Sequence, residues 1–178
     1  MKKSIVVGCV VVASLAFIGC KKKKADDAKP MPAAARKAGG VLQAKSGAKM
    51  NGSVELIDEA GTLTVNIRVH EATPGTHGIH LHEKGDCSAP DAASAGGHYN
   101  PKKETHGGPA TSPHHAGDLG NISVSADGTG HAEIKVTSFT FDEAVGKAIV
   151  VHEKTDDLTT DPSGNSGARQ GCAVIAKM

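Results

Sequence analysis

Residues 62–69 (TLTVNIRV) alternate without a break, with Leu63, Val65, Ile67 and Val69 on one face and polar side chains on the other. Strict period two marks a strand with one buried face, and a helix cannot gather such a set on one side. Residues 54–57 precede this run across Asp58-Glu59-Ala60-Gly61, so the two form a hairpin. A second pair of runs, 121–125 and 131–137, flanks the turn 126–130, with Ala132, Ile134 and Val136 alternating. Residues 147–152 and 172–176 are shorter apolar runs rich in β-branched side chains. No segment carries a helical period beyond one turn at 142–145. Short strands joined by Gly-rich turns predict an all-β antiparallel fold, an immunoglobulin-like Greek-key sandwich or flattened barrel. Two polar segments, 84–117 and 153–171, are too long for idle connections and are expected to carry function.

Composition divides the chain. Residues 1–19 have a basic start (Lys2, Lys3), an apolar run over 5–18 and Gly19 ahead of Cys20, the pattern of a cleaved export signal. The Gly19-Cys20 junction resembles a bacterial lipoprotein cleavage site, which implies that Cys20 is acylated and anchors the chain to a membrane at the periplasm or cell envelope. The rest of 20–40 mixes Lys, Ala, Pro and Gly without apolar periodicity and reads as a disordered basic tether. Residues 41–178 then form one domain. The net charge of +1 conceals +5 on residues 21–40 and −6 on residues 41–178, and so acidic a domain is a poor partner for nucleic acid. Of the four cysteines, Cys9 leaves with the signal and Cys20 takes the lipid. Cys87 and Cys172 remain as an even pair in an exported domain, which reads as one disulfide.

His80 and His82, in GIHLHE, stand at i and i+2 and therefore on one face of a strand, a two-nitrogen clamp for a metal. His98, His106, His115 and Asp118 follow at offsets of 8, 9 and 3 in a stretch crowded with Gly and Pro, and His152 comes later. These seven candidates exceed what one ion takes, about four ligands. The arithmetic favours two metals.

The stretches GIHLHEKGDC, GGHYNP, HGGP, HAGDLGN, VVHEKTDDL and GARQGCAVIA together resemble, in order and spacing, the bacterial Cu/Zn superoxide dismutases, across residues 50–178. The resemblance implies an enzyme that disproportionates superoxide to oxygen and hydrogen peroxide in antioxidant defence; the sequence leaves open whether it is a monomer or homodimer. It implies that His80, His82, His98 and His152 bind copper, and that His98, bridging, joins His106, His115 and Asp118 at zinc. Imidazole suits both ions, and four nitrogens suit tetragonal Cu(II). The H-x-G-D spacing selects His115 over its neighbour His114. By the same resemblance His77 braces the H-x-H strand, Asp156 links a copper histidine to a zinc histidine, and Arg169 is catalytic beside His98, attracting the anion. His70 and His131 lie in no motif and are expected in solvent or core. The segment DLTTDPSGNSGARQ contains no lysine, so attraction of superoxide is expected to rest on Arg169 and the metals. The rival is a metal-buffering lipoprotein without turnover, against which Arg169 argues.

Overall fold

The structure is a computed structural model and describes residues 34–178; the expected signal, Cys20 and most of the tether lie outside the described residues. Among the described residues nine strands run in chain order: β1 (Arg36–Ala44), β2 (Asn51–Glu59), β3 (Thr62–His70), β4 (Gly75–His82), β5 (Asp118–Val124), β6 (Gly130–Val136), β7 (Ala148–His152), β8 (Arg169–Val174) and β9 (Ala176–Lys177). Every pairing is antiparallel, in the order β2-β3-β6-β5-β4-β7-β8-β1. β1 pairs back onto β2, which closes an eight-stranded barrel, and β9 adds to β1. The links β3–β4 and β6–β7 each cross over to non-adjacent strands, so the topology is Greek key, and closure leaves no long free edge among the described residues.

The alternation in residues 62–69 is borne out: Leu63, Val65, Ile67 and Val69 are buried while the residues between them are not. They meet Leu56, Ile79, Leu81, Ile122 and Ile149 in the barrel core. The β2–β3 hairpin forms over its full length, from Asn51↔His70 to Glu59↔Thr62. The second expected pair does not form a hairpin ladder: β5 and β6 share only Val124↔Gly130. The long ladder of β6 is with β3 on its other edge, setting Leu63 against Val136, Val65 against Ile134 and Ile67 against Ala132, so that apolar cross-strand pairs fill the core. β5 runs along β4 on its other edge.

β1 begins inside the stretch whose composition suggests a tether, and a boundary at residue 41 would cut the strand in two. Gly39 and Gly40, which make the segment look like a linker, are what admit it to the barrel. A Cβ on Gly39 would strike the Val54 carbonyl oxygen, and one on Gly40 the Val174 carbonyl oxygen. The expected helical turn is α1 (Phe141–Ala144), opened by a capping box between Thr140 and Glu143. Residues 83–117 and 153–168 form the two long connections, and Cys87–Cys172 (S–S 2.05 Å) ties the first of them to β8, as the cysteine count predicts.

Candidate metal centre

β4 and β7 supply the first donor cluster. From His77 to His82 every residue of β4 is buried, and the rings of His80 and His82 project together with centroids 6.4 Å apart. β7 pairs with β4 and ends on His152, whose ring lies 4.8 Å from that of His80. His98 arrives from the first long connection. It is held by a bridge to His82 and by the Tyr99 N–H, which donates to the Leu81 carbonyl at 2.7 Å. One ring nitrogen from each of these four histidines falls within 4.8 Å of all the others.

Their other nitrogens fix the tautomers. His80 Nε2–H donates to Asp156 Oδ2 at 2.8 Å, His82 Nδ1–H to the Gly96 carbonyl at 2.9 Å, and His152 Nδ1–H to the Gly167 carbonyl at 3.3 Å. His80 Nδ1, His82 Nε2, His98 Nε2 and His152 Nε2 are left buried with no hydrogen-bond partner. A buried unpaired polar atom costs roughly 1–3 kcal/mol, so four of them facing one another call for a shared electron-pair acceptor. Burial, reinforced by the neighbouring imidazoles, holds His80 and His82 well below the ordinary histidine pKa and lowers His152 to about 4. The His98 pKa is also lowered, chiefly by burial. The lone pairs are therefore free at neutral pH, the state a metal needs.

The second cluster surrounds Asp118, the first residue of β5. Its Oδ2 accepts the backbone N–H groups of Gly107 (3.1 Å) and His115 (2.8 Å). Its Oδ1 stands 2.9, 3.2 and 3.3 Å from the Nδ1 atoms of His98, His106 and His115. Burial pushes the Asp118 pKa up, but hydrogen bonds from His98 and the Gly107 N–H, with the flanking imidazoles, outweigh it and leave the carboxyl below its ordinary pKa. Three imidazole nitrogens and one carboxylate oxygen suit tetrahedral zinc. His80 also falls within 4.8 Å of His98, His106 and Asp118, but Asp156 occupies its Nε2 and its open Nδ1 belongs with the four-histidine cluster. His98 alone presents one nitrogen to each cluster.

Residues 50–175 match the family of copper/zinc superoxide dismutases. The chain belongs to that family. Among its relatives is an extracellular Cu-Zn superoxide dismutase of Brugia pahangi, 36% identical over 148 residues that cover 76% of this chain and 73% of the relative. Another, of Caenorhabditis elegans, is 40% identical over 133 residues, covering 70% of this chain and 60% of the relative. Copper and zinc, the metals of the family name, fit the two donor sets.

Around this dismutase centre, Asp156 joins the clusters through one carboxylate: Oδ2 accepts from His80 and Oδ1 from His106 Nε2–H at 2.9 Å. His77 lies between the carbonyls of His152 (2.8 Å) and Thr73 (2.7 Å), bracing β4 against the end of β7. Arg169 opens β8 opposite His152 and donates to the carbonyls of Ala92 (2.6 Å) and Gly96 (2.7 Å). Burial lowers its pKa, an effect opposed by nearby Asp91, and a guanidinium remains cationic. His114 turns to the His115 carbonyl, and His70 and His131 are exposed. The carbonyls of Gly96 and Gly167 leave no mark in a reading of side chains. Asp161 was likewise missed: its Oδ1 accepts the His106 backbone N–H at 2.5 Å and lies 3.8 Å from His115 Nε2, and no motif of its own signals it.

Proposed function

We propose that this domain is an active superoxide dismutase, taking two superoxide anions and two protons to dioxygen and hydrogen peroxide. In this reading His80, His82, His98 and His152 hold copper, while His98, His106, His115 and Asp118 hold zinc. The observation that carries it is the set of four buried, unpartnered ring nitrogens facing one another, with Arg169 bonded to the same Gly96 carbonyl as His82. Bound copper would supply the one-electron chemistry, for which zinc has no redox states.

The residues of the chain have separate tasks. His98 presents Nε2 to the four-histidine cluster and Nδ1 to the Asp118 cluster, so it would serve both metals and Nε2 is the atom that would take up and return a proton. Asp156 keeps His80 and His106 in the tautomers that leave their Nδ1 atoms open. Arg169 supplies local positive potential in a domain whose net charge otherwise repels an anion. The test is metal analysis of the purified full chain paired with a superoxide consumption assay. Bound copper and zinc with rapid consumption are expected; a loaded protein that consumes no superoxide would reduce it to a metal-binding protein.

We propose further that the chain is exported as a lipoprotein, with residues 1–19 as signal, Cys20 as the acylated residue and a basic tether leading to the barrel. The support is the apolar run ahead of Gly19-Cys20 and the polar, aperiodic composition beyond it, together with relatives named as extracellular.

A further inference from the structure

β4 and β5 pair with a register break: Gly78 faces Asn121 and His80 faces Asp118, so three residue steps on β5 span two on β4. Gly120, at φ 83°, absorbs the extra residue in a left-handed conformation. Without this bulge Asp118 and Asn121 would point to opposite faces of the strand; with it, they stand opposite His80 and Gly78, which share one face.

The amide of Asn121 then reaches a different chain segment. Its Nδ2 donates to the Asp156 carbonyl at 3.0 Å, and its Oδ1 accepts the Asp156 N–H at 2.8 Å. Both backbone groups of one residue are thus held by one side chain. Gly78 completes the seat: a Cβ there would come within 3.1 Å of both Asp156 Cβ and Ser166 Cβ. The Gly78 N–H also donates to the Lys154 carbonyl at 2.9 Å, drawing the same loop onto the strand.

We infer that Asn121 is a positioning residue for the metal centre: it fixes the backbone of Asp156 so that the two oxygens of that carboxylate meet His80 and His106 at once. The inference rests on the copper and zinc assignment above. A carboxylate that must satisfy two imidazoles on separate elements has little tolerance for movement, because a shift toward one lengthens the bond to the other. A planar amide with paired donor and acceptor removes that freedom, as a single hydrogen bond would not. Asn121 thereby influences zinc retention without touching zinc.

Zinc release from the copper- and zinc-loaded full chain, followed with a chelating dye, tests this in wild type, Asn121→Ala, Asp156→Ala and the double variant. Outer hydrogen-bond partners of metal ligands change metal affinity by about 10- to 100-fold, so Asn121→Ala should release zinc about tenfold faster than wild type. In the Asp156→Ala background the same substitution should change the rate by less than about twofold, because residues acting through one group are not additive. Asn121→Asp keeps the volume and the acceptor but sets a carboxylate against the Asp156 carbonyl. It should also accelerate release, and it serves if the alanine variant does not fold. Unchanged release in the folded Asn121 variants, or equal acceleration in both backgrounds, would overturn the inference. A wild-type protein that takes up no zinc would instead refute the metal assignment, before any variant is compared.

Discussion

Arg169 and His82 share one acceptor: the Gly96 carbonyl takes a hydrogen bond from Arg169 Nη2 at 2.7 Å and another from His82 Nδ1 at 2.9 Å. The guanidinium is therefore indexed to a histidine of the proposed copper site through a single backbone oxygen, and a second bond to the Ala92 carbonyl fixes its plane. A cation so held keeps a constant distance from the metal site, which a freely rotating surface arginine would not.

Steering by such a charge raises association rates by roughly 10- to 1,000-fold and weakens with salt. Arg169→Ala should lower kcat/KM severalfold or more, retain both metals and flatten the dependence on ionic strength. Arg169→Lys should recover part of the loss, since an ammonium attracts an anion but lacks the fork that grips two carbonyls. Arg169→Glu should be slowest. Stopped-flow superoxide decay over a salt series checks this, and Ala and Glu variants as fast as wild type with the same salt slope would remove Arg169 from the reaction.

Cys172 is fully buried on β8, and its bridge reaches Cys87 across a sequence separation of 85. On the chain-entropy account a loop of that size contributes about 4–5 kcal/mol. Cys172→Ser should lower Tm by roughly 10–15 °C for a domain of this size. It should also loosen the segment that carries the Ala92 and Gly96 carbonyls, so activity should fall before unfolding begins. Calorimetry in parallel with an assay separates the two effects; a Tm within a degree or so of wild type would deny the bridge its role.

What the sequence disclosed follows from where each piece of information resides. The convergence of His80 and His82 was legible because an H-x-H pair puts both rings on one face of a strand, the other five donors came from family motifs, and the β2–β3 hairpin was legible because its alternation and turn are local. The long ladder of β3 with β6 depends on matching apolar faces far apart in the chain, so adjacency indicated β5 beside β6 but not the strands that pair with each of them over their length. β1 escaped because its glycines answer to the Val54 and Val174 carbonyls, which only the folded barrel brings near. The seat for Asp156 escaped for a related reason: Asn121 acts on backbone atoms, and the bulge that aims it is a matter of register.

The metal-free protein should lose stability on mild acidification. The imidazoles of His80, His82 and His152 have pKa values depressed by burial, so the unfolded chain gains protons before the folded one as pH falls below about 6.5. The contribution is intact above that value and is lost progressively as pH drops; for His152 the loss is complete near pH 4 and amounts to about 3 kcal/mol. Urea midpoints of the metal-free protein between pH 7.5 and pH 4 should decline throughout; a flat profile from 6.5 to 4.5 would mean that these histidines do not remain neutral and buried without metal.

Acylation at Cys20 predicts that Cys20→Ser shifts the protein from the membrane fraction to the soluble exported fraction with unchanged specific activity. Fractionation and mass spectrometry of the mature amino terminus read the result. An unchanged distribution would argue against the lipid and for the apolar run over residues 5–18 as the anchor.

The hydrogen bonds divide the four histidines of the proposed copper site into two kinds. His82 and His152 use their second nitrogens on backbone carbonyls, Gly96 and Gly167, and neither meets the Asp118 cluster. His80 is tied to His106 through Asp156, and His98 Nδ1 lies 2.9 Å from Asp118 Oδ1. Alanine at His82 or His152 should therefore abolish dismutation and lower copper content while zinc stays bound. Alanine at His98 should deplete both metals, because one imidazole serves both clusters. Alanine at His80 should fall between, losing copper and weakening zinc by the roughly 10-fold or more typical of a disturbed outer partner. Paired copper and zinc analysis of the four variants reads the pattern, and zinc lost equally from all four would show that the two clusters form one inseparable unit.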